Sequence, residues 1–327
     1  MTSYSSLHDL VSSPIFSSFF SSPVCADLIG AENVLKCAFG CAEEGGKMIR
    51  VALARRGERG SAPHDTKISD ADLVTETDVA VETMVRGRIA RVFPDHLFVG
   101  EEGTGEPLNG CDRNGKFVWI VDPIDGTTNF VNTFPVVAVS IGFAYGDETI
   151  FGVVHNPMTD ELWFAWKGCG AWMKKSNGEV VKIHTSGCDT ISSALVSTGF
   201  AIPFFRRKTV NVEAQKKLRS IIEQNTWTLM SSCRDIRRIG SAACDICYVA
   251  MGRTDTFYEF GIKEWDVAAA LVILHEAGGD SSTVGGVKPY SIRGRNILAA
   301  ASQKLRIAMN QALVDKDVVQ IIEAIEQ

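Results

Sequence analysis

The stretch WIVDPIDGTTNFV (residues 119–131) restricts the fold more than any other part of the sequence. Its apolar start is typical of a buried strand, and two aspartates, Asp122 and Asp125, follow directly. Pro123 disfavours helical geometry at Asp122, so we expect the chain to turn as it leaves the strand and to carry both carboxylates to one side. Two carboxylates at a buried strand end repel each other and lose hydration, and they therefore require a nearby positive charge.

The residues after the aspartates favour an anion beside that positive charge. Gly126 lets a ligand approach the backbone closely, and a helix that begins at Thr127 would offer free N–H groups to a phosphate. Mg²⁺ prefers a few carboxylates, several waters and the oxygens of a substrate phosphate. The stretch therefore predicts a divalent cation next to a phosphate, although an Asx turn that only caps a helix is an alternative.

Two more acidic stretches stand at the ends of apolar elements. Glu101 and Glu102 follow the short apolar run HLFVG, and Asp266 precedes the apolar helix pattern VAAALVILHEAGG. Separately, the glutamates could be a surface pair and Asp266 a simple N-cap. Because ligands of open α/β sheets bind at strand ends, the three acidic elements together predict one shared site.

The composition is that of a globular α/β protein. The chain has 327 residues, of which 45% are hydrophobic and 22% charged, and the length allows two domains or one large α/β domain. The net charge of −6 argues against a nucleic-acid partner, and the absence of a long apolar run argues against a membrane-spanning helix. The nine cysteines are odd in number and irregularly spaced, which argues against a secreted disulfide framework. Cys244 and Cys247 could form a redox pair, or simply belong to a small-residue helix.

Residues 1–30 are rich in serine and contain no lysine or arginine. Signal and transit peptides normally carry basic residues, so we expect a partly disordered extension followed by one domain of two lobes over residues 31–327. A cytoplasmic protein is the favoured interpretation, with organellar targeting by residues 1–30 left open.

Periodicity and turn residues predict the remaining elements. We expect a β-hairpin that turns at Gly146-Asp147, and an exposed loop over residues 55–67. Helices are predicted over residues 31–54 and 211–224, and others are predicted to begin at Asp72, at Ser241, after Trp265 and at Gln303. The helix that begins at Asp72 is expected to bury Val79, Met84 and Ile89.

Several of these motifs resemble one known family. GEE, WIVDPIDGTTNFV and WDVAAALVILHEAGG are similar to the metal-binding signatures of the inositol monophosphatase family, and DLVTETD, FPVVAVSIGFA and FGVVHNP fit the same family in the same order. The resemblance runs from about residue 32 to the end of the chain. It implies the layered α-β-α-β-α sandwich shared with fructose-1,6-bisphosphatase, a homodimer, and a Mg²⁺-dependent, lithium-sensitive phosphatase.

The resemblance also implies a metal site of two to three Mg²⁺ ions. The first would be held by Glu101, Asp122 and the backbone carbonyl of Ile124. The second would be held by Asp122, Asp125 and Asp266. A third, more hydrated ion would lie near Glu101.

Catalytic and substrate roles follow by the same resemblance. Asp78 and Thr127 match the pair that orients the attacking water, with Glu101 beside them. The substrate side would comprise Lys67 on a closing loop, the backbone of Gly126 and Thr127, and Asp125, Ala242 and Glu259.

The substrate is expected to be inositol 1-phosphate. Thr128-Asn129 follow DGT where nucleotide-directed relatives tend to have lysine, and Glu259 favours the same branch. The segment of residues 197–210 departs from the family pattern and brings in Phe204, Phe205, Arg206 and Arg207. Histidinol phosphate, a hexose 1-phosphate or fructose 1,6-bisphosphate is therefore an alternative substrate, while a solvated loop is the simpler explanation of the two arginines.

Two further points bear on function. Lys263-Glu264 replace the family's usual His-Cys before Trp265. A non-catalytic binding protein of the same fold is a remote alternative, which the complete set of metal carboxylates disfavours.

Overall fold

A computed structural model of the chain describes residues 3–4, 30–59, 65–66, 73–103, 112–208, 211–286, 290–315 and 317–327. Its larger sheet has eight strands in the order β1-β10-β9-β8-β7-β6-β5-β4. Among the described strands of this sheet, β4 pairs with β5 in parallel and all other neighbours pair antiparallel. Its strands are β1 (Ser3–Tyr4), β4 (Leu97–Gly100), β5 (Phe117–Asp125), β6 (Ala138–Tyr145), β7 (Glu148–Asn156), β8 (Glu161–Trp166), β9 (Ala171–Lys174) and β10 (Val180–Ile183).

The second sheet has five strands in the order β12-β11-β13-β15-β14. The strand β11 runs parallel to both of its neighbours, whereas β13, β15 and β14 pair antiparallel. These strands are β11 (Leu195–Thr198), β12 (Asp235–Arg237), β13 (Thr256–Phe260), β14 (Asp280–Ser282) and β15 (Asn296–Ala300). Two short strands, β2 (Asp65–Thr66) and β3 (Leu73–Val74), pair with each other.

Helices cover both outer faces and fill the space between the sheets. One outer layer packs on the large sheet, the middle layer lies between the sheets, and the other outer layer packs on the small sheet. The outer layer on the large sheet consists of α1 (Ala31–Arg59) and α2 (Glu76–Val92). The middle layer consists of α6 (Ala242–Ala250) and α7 (Glu264–Glu276). The outer layer on the small sheet consists of α5 (Val212–Ser232), α8 (Gln303–Ala312) and α9 (Val318–Glu326). Two short helices, α3 (Thr127–Val131) and α4 (Ile202–Arg206), also lie in the described part of the chain. The predicted α-β-α-β-α sandwich is confirmed.

The middle layer explains why α7 is apolar on every side. All residues from Val267 to Leu274 are buried, because a sheet lies on each face of the helix. The large sheet comes very close to α7 at Gly152, where a Cβ atom would lie 2.2 Å from the carbonyl oxygen of Ala269. Glycine in β7 therefore fixes the distance between the large sheet and the helix that carries Asp266.

The helix α2 begins later than predicted. It starts at Glu76 rather than Asp72, because Thr75 and Asp78 form a reciprocal capping box. Val79 was wrongly assigned to the buried face and is 42% exposed, whereas Ile89 is buried and Met84 is half-buried. The buried face consists of Asp78, Val81, Glu82, Val85 and Ile89. Asp72 lies outside the described residues.

Other boundaries also differ from the prediction. The helix α1 continues to Arg59, because one glycine, worth about 1 kcal/mol, does not end a helix that is already formed. The helix α5 continues to Ser232, since Leu218, Ile221 and Leu229 extend its buried stripe. The C-terminal segment forms two helices instead of one.

The predicted hairpin is confirmed as β6 and β7, and Gly146 takes a positive φ of 62° in its turn. Within the proposed N-terminal extension, Ser3–Tyr4 pairs with β10, while residues 5–29 lie outside the described residues. The division of the chain into an extension and one two-lobed domain stays a prediction.

A candidate metal and phosphate site

Three aspartates meet at the ends of buried elements. The strand β5 continues through Pro123 to Asp125, but its register against β6 shifts between Asp122 and Asp125, so a bulge replaces the predicted turn. Asp266 reaches the same place from the first turn of α7. One carboxylate oxygen from each of Asp122, Asp125 and Asp266 lies within 4.8 Å of the others. The structure thus brings together the three aspartates that the sequence predicted to share a site.

The carboxylate of Asp125 is held by the start of α6. Its oxygens accept hydrogen bonds from the backbone N–H groups of Ala242 at 3.2 Å and Ala243 at 2.8 Å, and from the Ser241 hydroxyl. Free N–H groups at a helix start carry partial positive charge and stabilise an anion. The backbone of Ala242 therefore lies next to the aspartate cluster, and its substrate-side role stays a prediction.

Asp122 and Asp266 are each held by a nearby backbone N–H. Ile124 N donates to Asp122 Oδ1 at 3.0 Å, and Lys263 N donates to Asp266 Oδ2 at 2.6 Å. These bonds fix the rotamers of both side chains and leave other oxygens free to bind a cation.

Electrostatics show that the cluster is unfavourable by itself. Burial, followed by the negative charges of Glu101, Asp125 and Asp266, raises the pKa of Asp122 well above its usual value. Burial raises the pKa of Asp125 to about 6, and burial together with Glu101 raises that of Asp266. No lysine or arginine in the described part of the chain forms an ion pair with the three aspartates. A cluster of hard oxygen donors with unbalanced charge fits Mg²⁺.

Glu101 stands at the edge of this cluster. Glu101 N donates to the Val121 carbonyl at 3.2 Å, which extends the parallel pairing of β4 with β5 by one residue. After burial, the negative charge of Glu101 is the next cause that raises the pKa of Asp122, so the two carboxylates lie close to each other. The acidic ends of two parallel strands therefore lie at one sheet edge, as predicted.

Asp78, Thr127 and Ile124 form a connected group beside the aspartates. Thr127 Oγ1 lies 3.3 Å from Asp78 Oδ1 and 3.2 Å from the Ile124 carbonyl oxygen. Asp78 is fully buried, and its other oxygen accepts bonds from the backbone and hydroxyl of Thr75. A hydroxyl that faces two acceptors can donate its proton to only one of them, and its lone pairs remain able to accept a hydrogen bond.

Gly126 occupies a backbone position that requires glycine. Its φ is 92°, in the left-handed region, and it precedes α3. A Cβ atom there would lie 3.1 Å from the carbonyl oxygens of Val136 and Gly240. The predicted helix start at Thr127 is confirmed.

A cleft of about 190 Å³ opens beside the aspartates. Burial, opposed by the positive charge of Arg238, raises the pKa of Glu259 to about 7. Sequence reasoning missed Arg238, because an arginine after the three-residue strand β12 has no local pattern that distinguishes it from a solvated one. The walls of this substrate cleft include Asp125, Phe204, Arg238, Ala242, Glu259 and Asp266. Lys67 lies outside the described residues.

The two segments that depart from the family pattern, residues 197–210 and Lys263-Glu264, have different positions relative to the cleft. Phe204 lines the substrate cleft, but Arg206 is exposed and Arg207 donates to the Glu326 carbonyl at 2.7 Å, so neither arginine is held in the cleft. Glu264, in the unusual Lys263-Glu264 pair, forms two hydrogen bonds to buried Arg113 at 2.6 and 2.8 Å. This pair anchors the start of α7.

The cysteine pair belongs to a helix. Cys244 and Cys247 are fully buried in α6, and burial raises the pKa of both thiols. Raised values disfavour the reactive thiolate, so the small-residue helix is the correct interpretation. No helix in the described part of the chain is long and apolar enough to cross a membrane.

Comparison with known proteins gives consistent matches. The model of the inositol monophosphatase family matches residues 31–318. The chain is 36% identical to human inositol monophosphatase 2 over 283 residues, which cover 86% of this chain and 91% of the relative. It is 37% identical to rat inositol monophosphatase 1, with 84% of this chain and 92% of the relative covered.

Solved structures with the same fold include several bacterial proteins. The extragenic suppressor protein suhB from Bartonella henselae has a TM-score of 0.72 and 28% identity, and the match covers 87% of this chain and 99% of that one. Inositol monophosphatase from Anabaena has a TM-score of 0.67 and 29% identity, with 86% and 95% covered. A Staphylococcus aureus inositol monophosphatase II solved with inositol monophosphate has a TM-score of 0.68 and 25% identity, with 90% and 98% covered.

Proposed function

We propose that this chain, a Mg²⁺-dependent phosphatase that belongs to the inositol monophosphatase family, hydrolyses inositol 1-phosphate to myo-inositol and phosphate. The observation that supports this proposal most directly is the aspartate cluster beside the substrate cleft. Asp122, Asp125 and Asp266 lie within 4.8 Å of one another, and Glu259 lines the adjoining space. Unbalanced negative charge next to a polar cleft suits a cation that binds the protein carboxylates and the substrate phosphate at the same time.

The residues for the metal ions are proposed from this geometry. Glu101, Asp122 and the Ile124 carbonyl would hold one Mg²⁺, and Asp122, Asp125 and Asp266 would hold a second. A third, more hydrated ion would lie near Glu101. When bound, the ions neutralise the charge of the phosphate and lower the pKa of a coordinated water.

The protein's own groups would orient the reactants. The Thr127 hydroxyl lies between Asp78 and Ile124, where it can hold the attacking water in line and pass its proton towards Asp78, with Glu101 nearby. The backbone N–H groups of Gly126 and Thr127 would bind phosphate oxygens. Asp125, Glu259 and the Ala242 backbone would contact the inositol hydroxyls, and Lys67 would contribute from a closing loop.

A panel of phosphate esters tests the proposal. Phosphate release by the purified protein is measured with and without Mg²⁺ on inositol 1-phosphate, histidinol phosphate, galactose 1-phosphate, fructose 1,6-bisphosphate and a 3′-phosphonucleotide. We expect Mg²⁺-dependent release with the highest kcat/KM for inositol 1-phosphate. A higher value for another ester would reassign the substrate, and no release from any ester would contradict the enzymatic role.

Oligomeric state and location are also proposals. Family membership supports a homodimer, inhibition by lithium, and action on a small phosphorylated molecule in the cytoplasm, with organellar targeting by residues 1–30 left open. A molar mass of two chains by light scattering is the expected result for the dimer.

A further inference from the structure

We infer that Arg238 is a specificity residue of the substrate cleft, and that it and Glu259 together bind two neighbouring hydroxyl groups of an uncharged leaving group. This inference rests on the proposed function and adds Arg238 to the residues that recognise the leaving group. Neither side chain forms a hydrogen bond or an ion pair within the described parts of the chain, yet both residues line the same cleft. Polar side chains without protein partners in a cleft are suited to bind a ligand.

The topology of the small sheet brings the two side chains together. The strands β12, β11 and β13 are parallel neighbours, with Arg237 paired to Ser197 and Thr198 paired to Tyr258. Arg238 follows the last paired residue of β12, and Glu259 follows Tyr258 in β13. Since the carboxyl ends of parallel strands meet at one sheet edge, both side chains start from the edge where ligands of α/β sheets bind.

Each of these side chains packs against the backbone of a glycine. Gly199 follows β11, the strand between the other two, and a Cβ atom there would overlap the Glu259 carboxylate at 1.8 Å. A Cβ atom on Gly240 would lie 2.2 Å from Arg238 Nη1. The carboxylate and the guanidinium therefore occupy space that any larger residue at positions 199 and 240 would fill.

The separation and charges of the pair define the ligand. The guanidinium nitrogens of Arg238 and the carboxylate oxygens of Glu259 are more than 4.0 Å apart, so the two groups form no ion pair. Arg238 nevertheless acts on Glu259 electrostatically. A carboxylate accepts from one hydroxyl and a guanidinium donates to the next, so a vicinal diol satisfies both groups. A second phosphate would bind Arg238 but would be repelled by Glu259 and Asp125.

Steady-state kinetics of Arg238→Met with saturating Mg²⁺ test the inference. We expect KM for inositol 1-phosphate to rise about 10- to 100-fold, as for a lost hydrogen bond to a charged group, with kcat and the KM for phenyl phosphate changed by less than about 2-fold. The matched control is Arg237→Met, because Arg237 is exposed, as Arg238 is, but forms an ion pair with Asp235 and does not line the cleft. The control should resemble the unmodified protein with both substrates.

Three results would overturn the inference. The first is an unchanged KM for inositol 1-phosphate in Arg238→Met, and the second is an equal rise in KM for inositol 1-phosphate and phenyl phosphate. The third is a larger loss of kcat/KM for fructose 1,6-bisphosphate than for inositol 1-phosphate, which would indicate an anionic leaving group. Calorimetric binding of free myo-inositol separates this inference from the proposed function, since it needs no turnover. Weaker binding to Arg238→Met in a protein that does not hydrolyse inositol 1-phosphate would contradict only the proposed function, and equal binding would contradict the specificity role of Arg238.

Discussion

At the scale of single residues, the proposed site combines side chains that are fixed by hydrogen bonds to the protein with side chains that have no such bonds in the described structure. Asp125 accepts three hydrogen bonds from the start of α6, whereas the side chain of Glu259 has no hydrogen-bond or ion-pair partner in the described structure. Held carboxylates are suited to a fixed cation, and unpaired polar groups are suited to a substrate that arrives and leaves. The division of roles between metal and substrate residues follows from this difference.

Replacement of Glu259 by alanine should separate substrate recognition from chemistry. We expect KM for inositol 1-phosphate to rise about 10- to 100-fold, while KM for an aryl phosphate changes by less than about 2-fold, because only the inositol hydroxyls would lose a partner. Steady-state kinetics on both substrates give the measurement. Glu213→Ala is a matched control, since Glu213 is exposed on α5. Equal effects on both substrates would remove Glu259 from the specificity role.

Single residues also show where the sequence was informative. Asp122, Asp125 and Asp266 could be predicted to meet because each stands at the end of a strongly apolar element. Arg238 could not, since a surface-type arginine after a three-residue strand has no local pattern that distinguishes it from a solvated one. Its placement depends on the pairing of β11 with β12, which joins segments distant in sequence.

At the scale of elements, the site depends on how closely α7 packs against the large sheet. Asp266 belongs to the first turn of this helix, and the carbonyl oxygen of Ala269 lies against Gly152 of β7. The strand and helix types could be predicted from apolar runs and turn residues. The start of α2 could not be placed, because the capping box of Thr75 and Asp78 competed with an acidic residue upstream that also resembled a cap.

Gly152→Ala should destabilise the protein. The added methyl group would overlap the backbone of α7, and such overpacking costs about 1–3 kcal/mol. Urea denaturation measures the free energy of unfolding. Gly87→Ala is the matched control, because Gly87 lies in α2 with no atom within 4 Å of the added methyl group. The control should be about 0.5–1 kcal/mol more stable than the unmodified protein. Equal stability of Gly152→Ala and the unmodified protein would contradict the close packing.

At the scale of the whole molecule, the two sheets and the middle helices form one support for a charged site. Asp122 and Asp125 come from the large sheet, Asp266 comes from the middle layer, and Glu259 comes from the small sheet. The layered architecture could be predicted only through the resemblance to a known family, because strand order and sheet stacking leave no periodic signal in one sequence. The site's net negative charge couples folding to metal binding and pH.

Mg²⁺ should stabilise the protein more at pH 7.5 than at pH 5. Burial raises the folded-state pKa of Asp125 from 3.8 to about 6, so its ionisation costs stability as pH rises through this range, and the full cost is present above about pH 6. Bound Mg²⁺ offsets that cost, whereas protons compete with it at pH 5. We expect a rise in Tm of about 3 °C or more at pH 7.5 with Mg²⁺ in large excess, and a smaller rise at pH 5. Thermal scans with Mg²⁺ or a chelator measure both values, and a larger rise at pH 5 would contradict the role of the aspartates.

The central claim is that the aspartate cluster holds the Mg²⁺ ions needed to hydrolyse inositol 1-phosphate. The most direct measurement is phosphate release from this ester against Mg²⁺ concentration, for the unmodified protein, Asp122→Asn and the exposed control Asp189→Asn. We expect Mg²⁺-dependent release by the unmodified protein and the control. Asp122→Asn should lose at least about 10³-fold in kcat while its metal-free Tm stays the same or rises, because a buried charge is removed. Near-normal turnover by a folded Asp122→Asn protein would contradict the account.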